Sequence, residues 1–379
     1  MVRSPQARMQ KQTAIRMAVR RAEGAWDSPG RIASSGPSSK PQSPASDFME
    51  WPWKGVLEGA QRQLDHFISL EPKVLKGRDP EAIHDMRVAS RRLQQVLDLL
   101  YPQPRTVKVR KVRRRVRRSR RALSAVRNCD VLLERARRVL ARKHSGRREV
   151  WTAFREYVEE RRERSFRKAS RRLARLNLPA LYVRLQEQME PPPATGQADG
   201  PRAAVNLRQR LNESLAKAWS SLERCVEQAR ETPETASLHA ARIAAKRARY
   251  LIEVIDDVSG GVSGEFGVTG SAHALACLRR LQRHLGDWHD LEVLEEMMLE
   301  MVARNGFLMN RLELAMEVER LVLRNRKSKS GFVEQFLSMT GTSEEWQRLG
   351  AWVREFVASG DSVASEPESQ SPVLASPRA

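Results

Sequence analysis

The sequence predicts an all-α fold, and three observations carry the prediction. Apolar residues recur at three- and four-residue spacing along most of positions 53–357, the period of one helix face. Leu, Ala, Arg and Glu are plentiful, while aromatic residues make up only 6% of the chain. Nowhere does the two-residue alternation of a half-buried strand persist. With 40% hydrophobic residues among 379, the chain has enough apolar side chains for a substantial core.

The elements follow in order. Residues 28–47 are rich in Ser, Pro and Gly, and with the Arg-rich segment before them they form an expected disordered basic arm, 1–48. "WKGVLEGAQRQLDHFISL" (Trp53–Leu70) has helical spacing. "GRDPEAIH" then supplies a start signal, with Asp79 as N-cap, Pro80 in the first turn and Glu81 near the positive helix end. That helix should end near Tyr101, before Pro102 and Pro104. Two helical stretches follow, joined near Ser124–Asn128, then a long charged helix over about Arg147–Leu176 and a shorter one to Met189. "EPPPATGQADGP" (Glu190–Pro201) reads as a linker between two helical halves, 49–189 and 202–357. The second half restarts with a helix over about Val205–Glu231. A Thr232–Pro233 start repeats the first one and leads into a helix through His239. The Gly-rich loop Ser259–Ser271 and further helices come next, then a polar, disordered tail, 358–379.

The halves also match residue by residue. Aligning His84 with His239 pairs Arg87 with Arg242, Arg91 with Lys246 and Arg92 with Arg247. Downstream, "VRRSRRALSAVRNCDVL" aligns with "LRRLQRHLGDWHDLEVL", pairing Arg117 with Arg279 and Asn128 with Asp290. The change of offset between the two alignments is absorbed by the Gly-rich loop, present only in the second half. The pattern predicts two homologous helical bundles in one chain.

The formal charge is +22, and it is clustered. Such a chain should seek polyanions: nucleic acid, an anionic membrane or a phosphate polymer. With His84 at zero on a helical wheel, Arg87 falls at about 300° and Arg91 at about 340°, opposite Ile83, Met86, Leu93 and Leu97. His239, Arg242, Lys246 and Arg249 form the same stripe in the second half, opposite Ala241, Ala248 and Ile252. A solvated helix face usually mixes signs in i,i+4 pairs. These stripes read as lacking such acids, and Arg105–Arg121 holds eleven Lys or Arg and no acid. Guanidinium groups gathered in this way suit a phosphate-rich chain supplied from outside, because they hold phosphate oxygens in a fork.

Other functional classes fare worse. Cys129, Cys225 and Cys277 form no CxxC and no His/Cys cluster, which argues for a reducing compartment without structural zinc or disulfides. No apolar run reaches the roughly 18 residues of a membrane span. HExxH, GxGxxG, P-loop and GxSxG motifs are missing, so an enzyme is not expected. A metal on His84, His239 and His289 is disfavoured because neighbouring arginines repel a divalent cation. Asp130, Asp290 and Glu292 are expected just after helix junctions, where they would favour the positive helix end and orient a histidine or arginine.

"AIHDMRVASRRL", "SLHAARIAAKRARYLIE" and "LRRLQRHLGDWHDLEVL" resemble the CHAD family, the conserved histidine α-helical domain. The resemblance runs over about Trp53–Val357. It rests on a His-x-x-Arg-x-x-x-[Arg/Lys]-Arg string that occurs twice, followed by Leu-Gly-x-x-His-Asp. It implies two four-helix-like bundles with pseudo-twofold symmetry and a basic groove or pore between them. It also implies non-enzymatic binding of inorganic polyphosphate, and a cytoplasmic protein associated with polyphosphate or polyester storage granules. No cofactor is implied, and the triphosphate-tunnel domain that many members carry has no motif in this sequence. The site residues carried over are His84, Arg87, Arg91 and Arg92 in the first half, with His239, Arg242, Lys246, Arg247 and Arg249 in the second. Arg117 and Arg279 join them from the following helices. Ser124 and Asn128 depart from the family's common Gly and Asp, and Gln94 stands where Arg is common, so the first half is expected to hold only part of the site. Nucleic-acid binding is the alternative reading. The "KVRKVRRRVRRSRR" helix suits a phosphate backbone, but few aromatics lie among its cations to stack on bases.

Overall fold

The computed structural model describes residues 51–101, 105–142, 147–189, 200–259 and 271–361. The expected basic arm (1–48), most of the expected linker (190–199), the Gly-rich loop (260–270) and most of the tail (362–379) lie outside the described residues. Among those described there are thirteen helices and no strand. In the first half these are α1 (Trp51–Ser69), α2 (Glu71–Lys76), α3 (Pro80–Leu100), α4 (Val107–Ala122), α5 (Ser124–Leu140), α6 (Arg148–Leu176) and α7 (Leu178–Met189). The second half has α8 (Gly200–Glu231), α9 (Thr235–Ser259), α10 (Ser271–Val302), α11 (Phe307–Asn310), α12 (Leu312–Thr340) and α13 (Glu344–Asp361).

Local chemistry accounts for the main boundaries. Gly77 ends α2 in the left-handed region at φ 70°. A Cβ there would lie 2.3 Å from the Phe166 ring, so the turn requires glycine on both counts. Two residues later the Asp79 carboxylate accepts hydrogen bonds from the Glu81 and Ala82 amides at 3.0 and 3.1 Å, capping α3 ahead of Pro80. The second-half start is built differently from the expected Thr232–Pro233 cap. The Glu234 amide donates to the Ser237 hydroxyl at 3.1 Å, and α9 begins at Thr235. Thr232 instead offers its carbonyl to the same hydroxyl. Serine, three residues on, reaches back to the helix entrance as in a reversed capping pair.

The halves pack in the same order. α1 lies against α3, α3 against α4 and α5 against α6; likewise α8 lies against α9, α9 against α10 and α10 against α12. One difference stands out. The first half breaks at the fully buried Leu123 between α4 and α5, whereas α10 runs without interruption through the matching region. This corrects the expected helix-start role of the acids. Asp290 and Glu292 lie mid-way along α10, and Asp130 lies in the second turn of α5, where the terminal dipole no longer reaches. Asp130 is a buried ion-pair partner instead, 2.5 Å from Arg162 Nε. The other nitrogen, Arg162 Nη2, donates to the Gly77 carbonyl at 2.9 Å and ties the α2–α3 turn to α6.

Two apolar clusters form the interior. The larger one joins Leu64, Phe67, Leu93 and Leu97 to Leu215, Leu222, Ile252, Leu281 and Phe356, so both halves contribute to it. The smaller one packs Cys129, Leu133, Phe154 and Val158 against Met298, Met301, Val318 and Val322, again from both halves. α1 and α3 touch α8 and α9 along the seam. That seam carries the basic stripes.

Candidate anion-binding groove

α3 presents its apolar face, Ile83, Met86, Ala89 and Leu93, to the larger core, as helical spacing requires. The opposite stripe then turns toward α9, whose own inner face is Ala241, Ala245, Ala248 and Ile252. Two cationic stripes meet where these helices come together.

Burial and like charges dominate the chemistry there. Arg87 Nη1 donates to the Ser124 hydroxyl at 2.6 Å and to the Arg120 carbonyl at 3.0 Å. Its pKa is pushed down to about 9, first by burial and then by Arg91, Arg120, Arg127 and Arg242. Lys246 is pushed down to about 6, first by burial and then by Arg242, Arg91, Arg87 and Arg249. Charges from both halves therefore act on one ammonium group. Burial also lowers Arg242, although Asp290 works against this, and Arg242 Nε is a buried donor with no hydrogen-bond partner.

The histidines flank this cluster. The His239 and His289 rings lie 5.3 Å apart, and His289 is held down to about 4 by burial, Arg242, His239 and Lys246. His84 and His239 are likewise below the usual histidine value. The causes are burial with Arg127 foremost among the charges for His84, and burial with Arg242 for His239. In the register pairing Asn128 with Asp290, Arg127 matches His289. Each motif histidine thus lies beside the equivalent position of its own half, His84 near Arg127 and His239 near His289. No cluster of metal-ligating side chains occurs among the described residues.

The remaining site residues divide. Arg92, Arg249 and Arg279 converge on the half-buried Glu253, at 3.5, 3.6 and 3.7 Å. The expectation of stripes without acids therefore holds for Arg87, Arg91 and Lys246 and fails at Arg249, whose i+4 neighbour is this glutamate. Exposed Arg247 acts electrostatically on Arg105, away from the centre of the groove. Exposed Arg117 acts on Arg120. Reasoning from the sequence missed Arg120 and Arg127. Gln94 orients Arg120 by accepting a hydrogen bond from its guanidinium, and Arg120 is lowered to about 10 by burial and by Arg91, Arg117 and Arg121. The Gln94 departure thus exchanges an arginine on α3 for one positioned from α4.

Fold and site together define an all-helical protein with a partly buried cluster of cations where α3 and α9 meet. The CHAD domain family model matches residues 58–299, more than half of the chain, and the chain belongs to that family. A solved structure, the CHAD domain from the plant Ricinus communis, superposes with a TM-score of 0.55 at 20% identity, covering 77% of this chain and 92% of that one. At that identity the likeness is one of fold. No curated protein matches the chain.

Proposed function

We propose that this protein binds inorganic polyphosphate without chemical turnover, the polymer lying in the groove between α3 and α9. The observation that carries this reading is the meeting of Arg87 and Arg91 with Arg242 and Lys246, where the strongest charges acting on Lys246 are all positive. Such a cluster is unfavourable alone and becomes favourable when an anion enters. Guanidinium forks hold the phosphate oxygens, and release of counterions drives association. Attachment to polyphosphate or storage granules would follow from the same contacts. No helix among the described residues is long and apolar enough to cross a membrane.

The test is a titration with polyphosphate, duplex DNA and RNA at two salt concentrations. Wild type is expected to prefer polyphosphate at equal phosphate concentration, with affinity falling steeply as salt rises. Changing Arg87, Arg91, Arg242 and Lys246 together to Glu should abolish binding while the helical circular dichroism persists. Full binding by that folded variant, displacement by nucleic acid at equal phosphate, or steady release of orthophosphate would each overturn the reading.

A further inference from the structure

We propose that the outer face of α12 is a homodimer interface, on which a second copy of this chain packs antiparallel about a two-fold axis. The inference is independent of the polyphosphate reading and uses none of the residues of the α3–α9 cluster.

Exposed apolar side chains gather at this face. Among the described residues nine large hydrophobic side chains are exposed, and five of them fall between Leu308 and Leu323: Leu308, Met309, Leu312, Met316 and Leu323. Single exposed apolar residues are ordinary, whereas a contiguous group marks a contact surface. α12 is held by its other side, where Ala315, Val318, Val322 and Asn325 are buried. On the helical wheel Leu312, Met316 and Leu323 fall within about 40° of one another, at the four- and seven-residue spacing of a coiled-coil seam.

Charge says what covers this seam. Residues 312–319 carry Glu313, Glu317 and Glu319 and no cation, while residues 320–329 carry five cations and no acid. Acid in the first turn suits the helix dipole, but the dipole does not reach the mid-helix cations. Some of these charges are spent within the protein. Glu317 takes Arg147 at 3.2 Å and also Arg320, and Arg326 and Lys329 both bind Glu295 at 2.7 Å. Among the described residues, Glu313, Glu319, Arg324 and Lys327 enter no ion pair. A helix with an acidic first half and a basic second half complements its own antiparallel copy and repels a parallel one. With Met316 set opposite Leu323 of the second copy, Glu313 comes opposite Lys327 on the same edge of the seam. Glu319 and Arg320 lie on its two edges at the two-fold axis, so both signs meet there.

The far end of the face fits the same arrangement. Gly331 stands mid-helix, and a Cβ there would meet nothing within 4 Å. A mid-helix glycine weakens the helix, and neither a left-handed backbone nor a close contact inside the protein requires this one. Antiparallel pairing brings Ser330 and Gly331 of one copy toward Leu308 and Met309 of the other, where the bare backbone leaves room for two large side chains. The two-fold axis makes each such contact twice.

Sedimentation velocity on the full-length protein over about 1–100 μM, without any polyanion present, tests the interface. Wild type should sediment as a concentration-dependent monomer–dimer equilibrium. Met316→Glu with Leu323→Glu should raise the dimer dissociation constant about a hundredfold or more. Helical circular dichroism should persist in that variant, since both side chains are exposed in the single chain. Charge exchange is the second arm. Glu313→Lys alone should weaken the dimer about tenfold, and adding Lys327→Glu to the same chain should restore it. The two positions stand about 21 Å apart on one helix, so restoration requires two copies. A wild type that stays monomeric throughout the range overturns the proposal, whether the seam is bare or covered by a segment of the same chain. A dimer that survives Met316→Glu with Leu323→Glu, or a charge exchange that restores nothing, overturns it as well.

Discussion

Lys246 is the residue at which the proposed anion binding has the clearest consequence for pH dependence. An ammonium that titrates near pH 6 when folded and near 10.5 when unfolded leaves the native state short of a proton between those values. The unfolded chain then binds more protons, so this group makes stability rise with pH from about 6 to 10.5. Lys246→Met should therefore stabilise the ligand-free protein at neutral pH by on the order of 1 kcal/mol or more, while weakening polyphosphate binding. Thermal melts with and without ligand check both signs. A bound polyanion restores the Lys246 charge, so binding takes up protons, and affinity should climb as pH falls from about 10 toward 6. Asp290 on α10 is held above the usual carboxylate range by burial and moderates the effect. The histidines add charge only at lower pH, since all three lie below their ordinary value. Calorimetry at pH 8 in buffers of different ionisation enthalpy should record proton uptake, and zero uptake would contradict the argument. Glu253 tests the opposite sign. Glu253→Gln frees Arg92, Arg249 and Arg279, and polyphosphate affinity should rise about twofold to fivefold. A fall would mean that the glutamate positions those arginines for the ligand.

At the scale of elements, the entrance to α3 matters because that helix delivers His84, Arg87, Arg91 and Arg92 to the seam. Asp79→Ala removes the acceptor for two amides and should lower stability by about 1 kcal/mol. Gly77→Ala must cope with both the left-handed backbone and the Phe166 ring, and should lower it by about 2 kcal/mol or more. Denaturant midpoints distinguish the two changes. The Asp79 cap was legible in the sequence because an N-cap followed by proline is a contact between near neighbours. The Thr232–Pro233 start was misread for a local reason, since Ser237 competes for the same turn. The unbroken course of α10 past Gly286 was not legible. Helix continuity at a glycine depends on what packs around it, and Trp288, Leu285 and Leu281 bury that stretch in the core.

For the whole molecule, the shared cores predict shared stability. Phe154 packs with Met298 and Val318, and Leu64 belongs to one cluster with Leu222 and Phe356. Urea unfolding should be a single transition, and a chain cut to residues 49–189 should stay expanded and bind apolar dyes. A cooperative, dye-silent half would contradict this. The sequence by itself determined the helical class, the order of the helices, the two basic stripes and family membership. Each of these rests on spacing along the chain, and helix periodicity converts spacing directly into faces. Only the tertiary structure decided that the stripes face one another and that Arg120 and Arg127 belong with them. It also decided that Glu253 pairs with the distant Arg92 and Arg279. These facts concern residues far apart in the chain, and their charges act on one another only after the apolar faces have packed and excluded water.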